Sequence, residues 1–297
     1  MWKFVLITAI VYQLSANAAV TVPSKEVALN CVKESGTDEY LIFFDCFLME
    51  VKSSKDQVYV TSTDLDTNSI EAHITVVRLQ ISGNVNYPEY FPKNLAKTVH
   101  GITNLFYKKT PLRFIKREDF KDMPSKLTML SLEDNEIEDI PCDAFYDLHN
   151  LKYLDVSGNN LKELDPKLFT NSPLFDSLFA KSNELTELHP DLFKDCPEFF
   201  VLYAEFNKIE ELHEDLFKNN PNMTIISMRH NKVKNVPFDF TKFELLEVAD
   251  FTHNGGTCDT MFFNFQPYDE WYSKEEQKKW IQELPDFQKK IEETCRG

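Results

Sequence analysis

One apolar phrase recurs through the centre of the chain with a period of about 24 residues. Counted from its first residue, each copy carries apolar residues at positions one, four and six, an asparagine at position nine and another apolar residue at position eleven. Five copies in register begin at Leu127, Leu151, Phe175, Phe199 and Met223. Five such copies cannot arise by chance, so the period reflects a structural repeat.

The spacing predicts a short strand in each repeat, because positions four and six share one face of an extended chain. Successive strands should pair as a parallel ladder about 5 Å apart. The asparagines end the strands, and their amides can satisfy backbone groups that the turn leaves unpaired. They are Asn135, Asn159, Asn183, Asn207 and Asn231. Phenylalanines 120, 145, 169, 193 and 217 should form a spine of rings beneath the opposite, convex side.

This period and spacing are typical of leucine-rich repeats. We therefore predict an α/β-type solenoid with a curved parallel β-sheet on its concave side, an irregular and short-helical convex side, and disulfide-linked caps. The expected divisions are a signal peptide at residues 1–18, an N-terminal cap at 19–75, about eight repeats at 76–254 and a C-terminal cap at 255–297.

The pattern loosens at both ends of the predicted ladder, as capping requires. Val76, Leu79, Ile81 and Asn84 suggest a degenerate first repeat. In the last repeat, Phe243, Leu246 and Val248 suggest the strand, with Phe251 in the asparagine position. Beyond it, an amphipathic helix is predicted with Ile281, Leu284, Phe287, Ile291 and Cys295 on one face, and Pro285 should kink or restart it.

Residues 1–18 have the features of a secretory signal peptide. Lys3 precedes the apolar run from Phe4 to Leu14, and Ala16 and Ala18 provide a small-residue cleavage site. The run is too short to span a membrane, so we expect a secreted, extracellular protein without a membrane span. Losing Lys3 takes the formal net charge from −16 to −17. This acidity argues against nucleic acid as a partner.

Export makes disulfides and glycosylation expected features. Cys31 and Cys46 could staple the N-terminal cap, and Cys258 and Cys295 could fasten the C-terminal segment. Cys142 and Cys196 sit at different positions of repeats two apart and are predicted not to bridge, with Cys142 the more exposed thiol and Cys196 in a small buried slot. One glycosylation sequon is present, at Asn222.

A candidate binding surface lies on the concave side, at positions three, five and seven of each repeat. Large apolar side chains cluster there with a charged flank, which is the composition of protein-binding hot spots. The predicted partner-binding residues are Met129, Tyr153, Phe179, Val201, Tyr203, Ile225, Glu133, Lys181, Glu205 and Arg229. Aromatic and β-branched residues also suit any half-exposed sheet. A further alternative is that this patch is covered in a homodimer or heterodimer.

No enzyme motif is recognisable, and we predict a non-enzymatic protein without cofactor or metal. The glycines near Gly158 and Gly255 lack the spacing of phosphate-binding loops. His189 and His213 recur one period apart beside carboxylates. Two histidines and carboxylates could together bind zinc. Repeat homology is the simpler explanation.

The whole arrangement resembles the secreted leucine-rich repeat proteins of dipteran insects. The matching features are the Cys31–Cys46 front piece, repeats that end in pairs such as Ala144-Phe145 and Leu168-Phe169, and the flank from Asn254 to Cys295. Some members of this group are mosquito leucine-rich immune proteins, whose long coiled coil this chain does not share. The resemblance implies secretion and protein–protein recognition through the concave face, with a role in insect innate immunity. The alternative is an extracellular structural or adhesive protein that assembles through its ends or convex side.

Overall fold

The computed structural model describes residues 24–34, 41–48, 57–63, 74–81, 89–95, 101–123, 125–255, 260–263 and 284–295. The chain divides into two compact units, Met1–Leu154 and Asp155–Gly297. The predicted signal peptide and the first part of the predicted C-terminal helix, up to residue 283, lie outside the described residues. None of the described helices is long and apolar enough to cross a membrane.

In the first unit, four long strands precede the short strands of the repeats. They are β1 (Ser24–Glu34), β2 (Leu41–Leu48), β3 (Gln57–Thr63) and β4 (Ile74–Ile81). β1 pairs antiparallel with β2 and parallel with β3, while β2 pairs parallel with β4. The segment predicted as a cap therefore extends the sheet, which gives β4 a backbone partner on the side away from the repeats.

The predicted disulfide of this segment fits the strand register. Cys31 lies directly opposite Cys46 in the β1–β2 pair. Opposed residues of an antiparallel pair have Cα atoms roughly 4.5–5.5 Å apart, a separation that a disulfide can bridge. The bridge itself stays a prediction.

The repeats of the first unit contribute β5 (Asn104–Tyr107), α1 (Arg117–Phe120), β6 (Met129–Ser131) and β7 (Tyr153–Asp155), the last at the unit boundary. β4, β5 and β6 pair in parallel. The second unit contains β8 (Ser177–Phe179), β9 (Val201–Tyr203), β10 (Ile225–Ser227), a 3-10 turn (Phe240–Lys242), β11 (Val248–Asp250), β12 (Met261–Phe263) and α2 (Leu284–Thr294). β8 to β11 are parallel, and β12 runs antiparallel to β11.

Four of the asparagines at position nine hydrogen-bond within their own repeat and to the repeat before it, as predicted; they are Asn135, Asn183, Asn207 and Asn231. The Asn207 Nδ2 group donates to the carbonyl oxygens of Ala180 at 2.9 Å, Ala204 at 3.1 Å and Glu205 at 3.1 Å. Its Oδ1 accepts the Leu185 N–H at 3.0 Å. Asn183 and Asn231 repeat the pattern.

The phenylalanine spine is also present in each unit. The Phe193 ring stacks against Phe169, Phe199 and Phe217, with centroids 6.3, 3.8 and 6.2 Å away. In the first unit Phe120 packs on Phe145 at 5.4 Å. These rings are buried together with the inward positions of the strands, and they form the core of each unit.

The predicted register was wrong at both ends of the repeats. β4 pairs with β5 so that Val77 and Leu79 lie opposite Leu105 and Tyr107, which occupy the inward positions of β5. The sequence analysis had assigned Leu79 and Ile81 to these two positions. In the last repeat, the strand is Val248–Asp250, and Asn254, not Phe251, occupies the asparagine position. Its Oδ1 accepts the Val233 N–H at 3.0 Å, and Phe251 points into the core.

The C-terminal helix packs against the last turn of the second unit, in agreement with the prediction of a capping helix. α2 begins at Leu284, so Pro285 falls in its first turn, where a missing N–H costs nothing. Phe287 and Ile291 are buried, and the Phe287 ring lies 4.9 Å from that of Phe240. Cys295 is disulfide-bonded, and its predicted partner Cys258 lies outside the described residues.

Candidate functional site

The candidate site is the sheet surface formed by positions three, five and seven of the repeats, here called the ladder face. In the second unit, strand pairing sets Ser177, Val201, Ile225 and Val248 in one row. Phe179, Tyr203, Ser227 and Asp250 form the next row, in the same register. The rows follow directly from the constant repeat length, which places equivalent residues of neighbouring strands side by side.

An aromatic pair lies on this face, on strands β8 and β9. The Phe179 and Tyr203 rings stack with centroids 4.8 Å apart and planes inclined by 30°. The Lys181 ammonium lies 4.1 Å from the Tyr203 ring centroid and 6.0 Å from that of Phe179. Both rings are half-buried, so each offers a fixed apolar surface to a partner at little further cost in side-chain entropy.

A polar network fixes the flank of the aromatic pair. The Glu205 carboxylate pairs with the Lys181 ammonium at 3.1 Å and accepts the Ser227 hydroxyl proton at 2.7 Å. Burial raises the pKa of Tyr203, and the nearby carboxylates Glu205 and Glu247 raise it further. Its hydroxyl group is therefore a neutral donor and acceptor at physiological pH.

The remaining predicted residues of this face differ in accessibility. Ile225 is half-buried and Arg229 is exposed. Val201 was predicted to contact a partner, yet its side chain is only 8% exposed. It is short and lies between β8 and β10, whose side chains crowd it from both sides. Val201 therefore has too little exposed surface to serve as a partner-binding residue.

In the first unit, the ladder face carries the other predicted residues. Met129, Tyr153 and Glu133 are all half-buried. The Asn104 side-chain amide donates to Met129 Sδ at 3.3 Å, and Lys108 forms an ion pair with Glu133 at 2.5 Å. None of these three predicted residues is closed off from solvent.

The register correction also changes the last strand of the ladder face. Counting positions three, five and seven from Phe243, the first residue of the predicted last repeat, gives Leu245, Glu247 and Ala249. The pairing of β10 with β11 puts Val248 and Asp250 in those rows instead. The Asp250 Oδ1 atom accepts the Thr252 N–H at 2.9 Å and the Thr252 hydroxyl proton at 2.7 Å, so this carboxylate serves the turn that follows the strand.

The cysteines and the sequon have the expected exposure. Cys142 and Cys196 are both free; the first is exposed and the second buried. Burial raises the pKa of the Cys196 thiol to about 12, which makes it unreactive. Asn222 is exposed, as a glycan acceptor has to be, and its glycosylation stays a prediction.

The two repeated histidines have a structural role. The Asp191 N–H donates to His189 Nδ1 at 3.0 Å, and the Asp215 N–H donates to His213 Nδ1 at 3.1 Å. Asp165, one period earlier, accepts the Lys167 N–H in the same way at 2.8 Å. The histidines thus replace an aspartate that closes the turn. The described residues hold no cluster of three or more metal-ligating side chains.

A second aromatic group was missed by the sequence analysis. Phe206, His230 and His253 occupy position eight of successive repeats, immediately before the asparagines. Their rings stack with centroid separations of 4.4 and 4.3 Å. The recurring pairs Phe206-Asn207, His230-Asn231 and His253-Asn254 were the available signal. The candidate surface was defined by alternating strand positions up to position seven, so it did not include position eight.

Comparison with known proteins agrees with this architecture. A leucine-rich repeat family model matches residues 109–161 and 125–185. Among 212 matching solved chains is the one in the crystal structure of a TLR13–ssRNA13 complex, with 21% identity and a TM-score of 0.54. The match covers 69% of this chain and 31% of that chain, so this chain spans about a third of the TLR13 chain. No curated protein matches.

At this level of identity, the likeness to TLR13 concerns the fold alone. The narrower resemblance to dipteran proteins stays a prediction. The repeat spacing, the strand ladders and the family match agree on one conclusion: residues 109–185 carry leucine-rich repeats, and the chain has the leucine-rich repeat fold.

Proposed function

We propose that this chain is a secreted, non-enzymatic recognition protein that binds a protein partner on the ladder face of its second unit. The observation that carries the proposal is the stacked Phe179–Tyr203 pair with Lys181 over it. Rigid, partly exposed aromatic side chains beside a charged flank are the composition of binding hot spots.

Secretion is part of the proposal and rests on residues 1–18. Intact-mass analysis of protein collected from the culture medium should find a chain without them, whereas retention of the full-length chain in cells would contradict export. A role in insect innate immunity rests on the resemblance to mosquito immune proteins. The neighbour TLR13 was crystallised with ssRNA13. We propose a protein partner for the ladder face because a chain with a net charge of −16 repels the continuous phosphate charge of a nucleic acid.

The test replaces both rings by serine, in the double variant Phe179→Ser/Tyr203→Ser. Serine already fills the same position in neighbouring repeats, at Ser131 and Ser227, so the ladder accommodates it. Losing two hot-spot aromatics should weaken partner binding by about 100-fold or more. The measurement is quantitative mass spectrometry of proteins that the immobilised chain captures from extracellular fluid.

The matched control is Leu174→Ser, which removes an exposed apolar side chain of the second unit outside the ladder face. The wild type and the control should retain the same partner, and the double variant should lose it. Unchanged capture by the double variant would refute binding at this face. If the protein is instead structural or adhesive, assembly through its ends or convex side should persist in the double variant.

A further inference from the structure

Position eight of the repeats has a left-handed backbone conformation. Lys109, Asp134, Ser182, Phe206, His230 and His253 there have φ between 52° and 63°. The conformation turns the N–H group toward the next repeat: Phe206 N–H donates to the Arg229 carbonyl at 2.9 Å and His230 N–H to the Thr252 carbonyl at 3.0 Å. The ladder therefore requires the strained conformation whatever residue stands at this position.

Small or polar residues suit this position, since a left-handed conformation disfavours bulky side chains. Three consecutive repeats nevertheless place aromatic rings there, in Phe206, His230 and His253, here called the edge stack. The Phe206 side chain is 51% exposed, so it does not serve the core. Strained, exposed aromatic residues that folding does not need indicate a functional surface.

An exposed cation, Arg229, lies beside the edge stack. Arg229 is exposed, and no acidic side chain in the described part of the chain forms an ion pair with it. Glu205 is already paired with Lys181, and Asp250 accepts hydrogen bonds from Thr252. Burial lowers the pKa of His230; His253 and Arg229 lower it further, while Asp250 and Glu205 oppose this. Acidification therefore adds positive charge to a surface that already carries Arg229.

One end of the edge stack offers room for another ring. The preceding repeat has Ser182 at position eight, and its side chain is too small to cover Phe206. An incoming aromatic side chain could lie over Ser182 and continue the stack. Carboxylates farther along the same segment, on the side of that ring that faces the stack, would meet the Arg229 guanidinium and the two imidazoles.

We propose that the edge stack binds an acidic, aromatic-bearing segment of a partner protein, and binds it more tightly in acid than at neutral pH. The sign follows from charge: a proton taken up by the His230 imidazole adds an attraction to the partner's carboxylates. Arg229 is the only residue that this surface shares with the ladder face, and the Phe179–Tyr203 pair that carries the function proposed above takes no part in it. The two proposals can therefore fail separately.

The test uses the intact protein and a fluorescein-labelled peptide of alternating glutamate and tryptophan. A peptide with glutamine in place of glutamate is the charge control. Fluorescence anisotropy should show the glutamate peptide binding about tenfold more tightly near pH 5.5 than near pH 7.5. The glutamine peptide should bind at least about tenfold more weakly in acid and without this pH dependence.

Asparagine tolerates the left-handed conformation and is the substitution of choice. Phe206→Asn should weaken binding at both pH values, and His230→Asn/His253→Asn should remove the gain in acid. Asp134→Asn, at the same position of an earlier repeat, is the matched control, and Phe179→Ser/Tyr203→Ser should bind the peptide like the wild type. Equal binding of the two peptides, no binding, or wild-type binding by the edge variants would overturn the proposal.

Discussion

A single buried amide side chain can hold two neighbouring repeats together. The buried Asn207 side chain donates to three carbonyl oxygens and accepts one N–H, and these groups belong to its own repeat and the one before it. Only an amide supplies both donors and an acceptor in so small a volume. An aspartate of the same size would keep the acceptor and lose both donors.

We therefore predict that Asn207→Asp lowers the free energy of unfolding by about 2–4 kcal/mol, since it leaves carbonyl groups unpaired and buries a charge. Urea denaturation followed by circular dichroism measures this. The control is Asn219→Asp, at an exposed asparagine with a single bond to the Lys194 carbonyl. Equal changes in the two variants would show that the buried amide has no special role.

The asparagines could be predicted from sequence because their position is locked to the period. The edge stack was missed although its residues recur with the period, because their exposure follows from a left-handed backbone at position eight, which the apolar pattern does not encode. Val201 was misjudged for a related reason: alternation predicts the face of a strand, whereas exposure depends on the side chains to either side.

Among the elements, the strand register at the two ends of the repeats could be determined only from the structure. The interval from Asn231 to Asn254 is 23 residues, one shorter than the regular period, and the phenylalanines of the last repeat fit more than one frame. Hydrogen bonding decides the frame, since only one register brings Asn254 to the Val233 N–H. The capping helix was easier to predict, because its apolar spacing and Pro285 are local signals. Its contact with Phe240 is a tertiary feature that the sequence alone does not reveal.

The capping helix should contribute directly to the stability of the second unit. Phe287 is buried against Phe240, and Gln288 Oε1 accepts the Phe240 N–H at 2.8 Å. We predict that Phe287→Ala costs about 3–5 kcal/mol. Hydrogen exchange should become faster in Phe240–Lys242 and in the helix. Lys290→Ala, on the exposed side of the same helix, should change neither the free energy of unfolding nor the exchange rates. Similar exchange in both variants would refute a stabilising role for the capping helix.

For the molecule as a whole, the acidic charge is the dominant long-range feature. The chain has 48 acidic and 32 basic residues, and its described ion pairs are largely exposed. Exposed pairs contribute little, whereas an excess of like charge destabilises the folded state. Screening should therefore stabilise the protein.

We predict that raising sodium chloride from about 0.02 M to 0.5 M, which shortens the screening length several-fold, increases the Tm by a few degrees near neutral pH. Differential scanning calorimetry measures the shift. A fall in Tm over the same range would mean that the ion pairs outweigh the repulsion between like charges.

The most direct test of partner binding at the ladder face is photo-crosslinking from that face. Benzoylphenylalanine would replace Tyr203 in one protein and Lys218, an exposed residue of the second unit away from the ladder face, in another. Both proteins would be irradiated in the native extracellular fluid. We expect the probe at position 203 to form a covalent adduct with one partner protein and the probe at position 218 to form none. Adducts of equal yield from both positions, or none from position 203, would contradict the proposal.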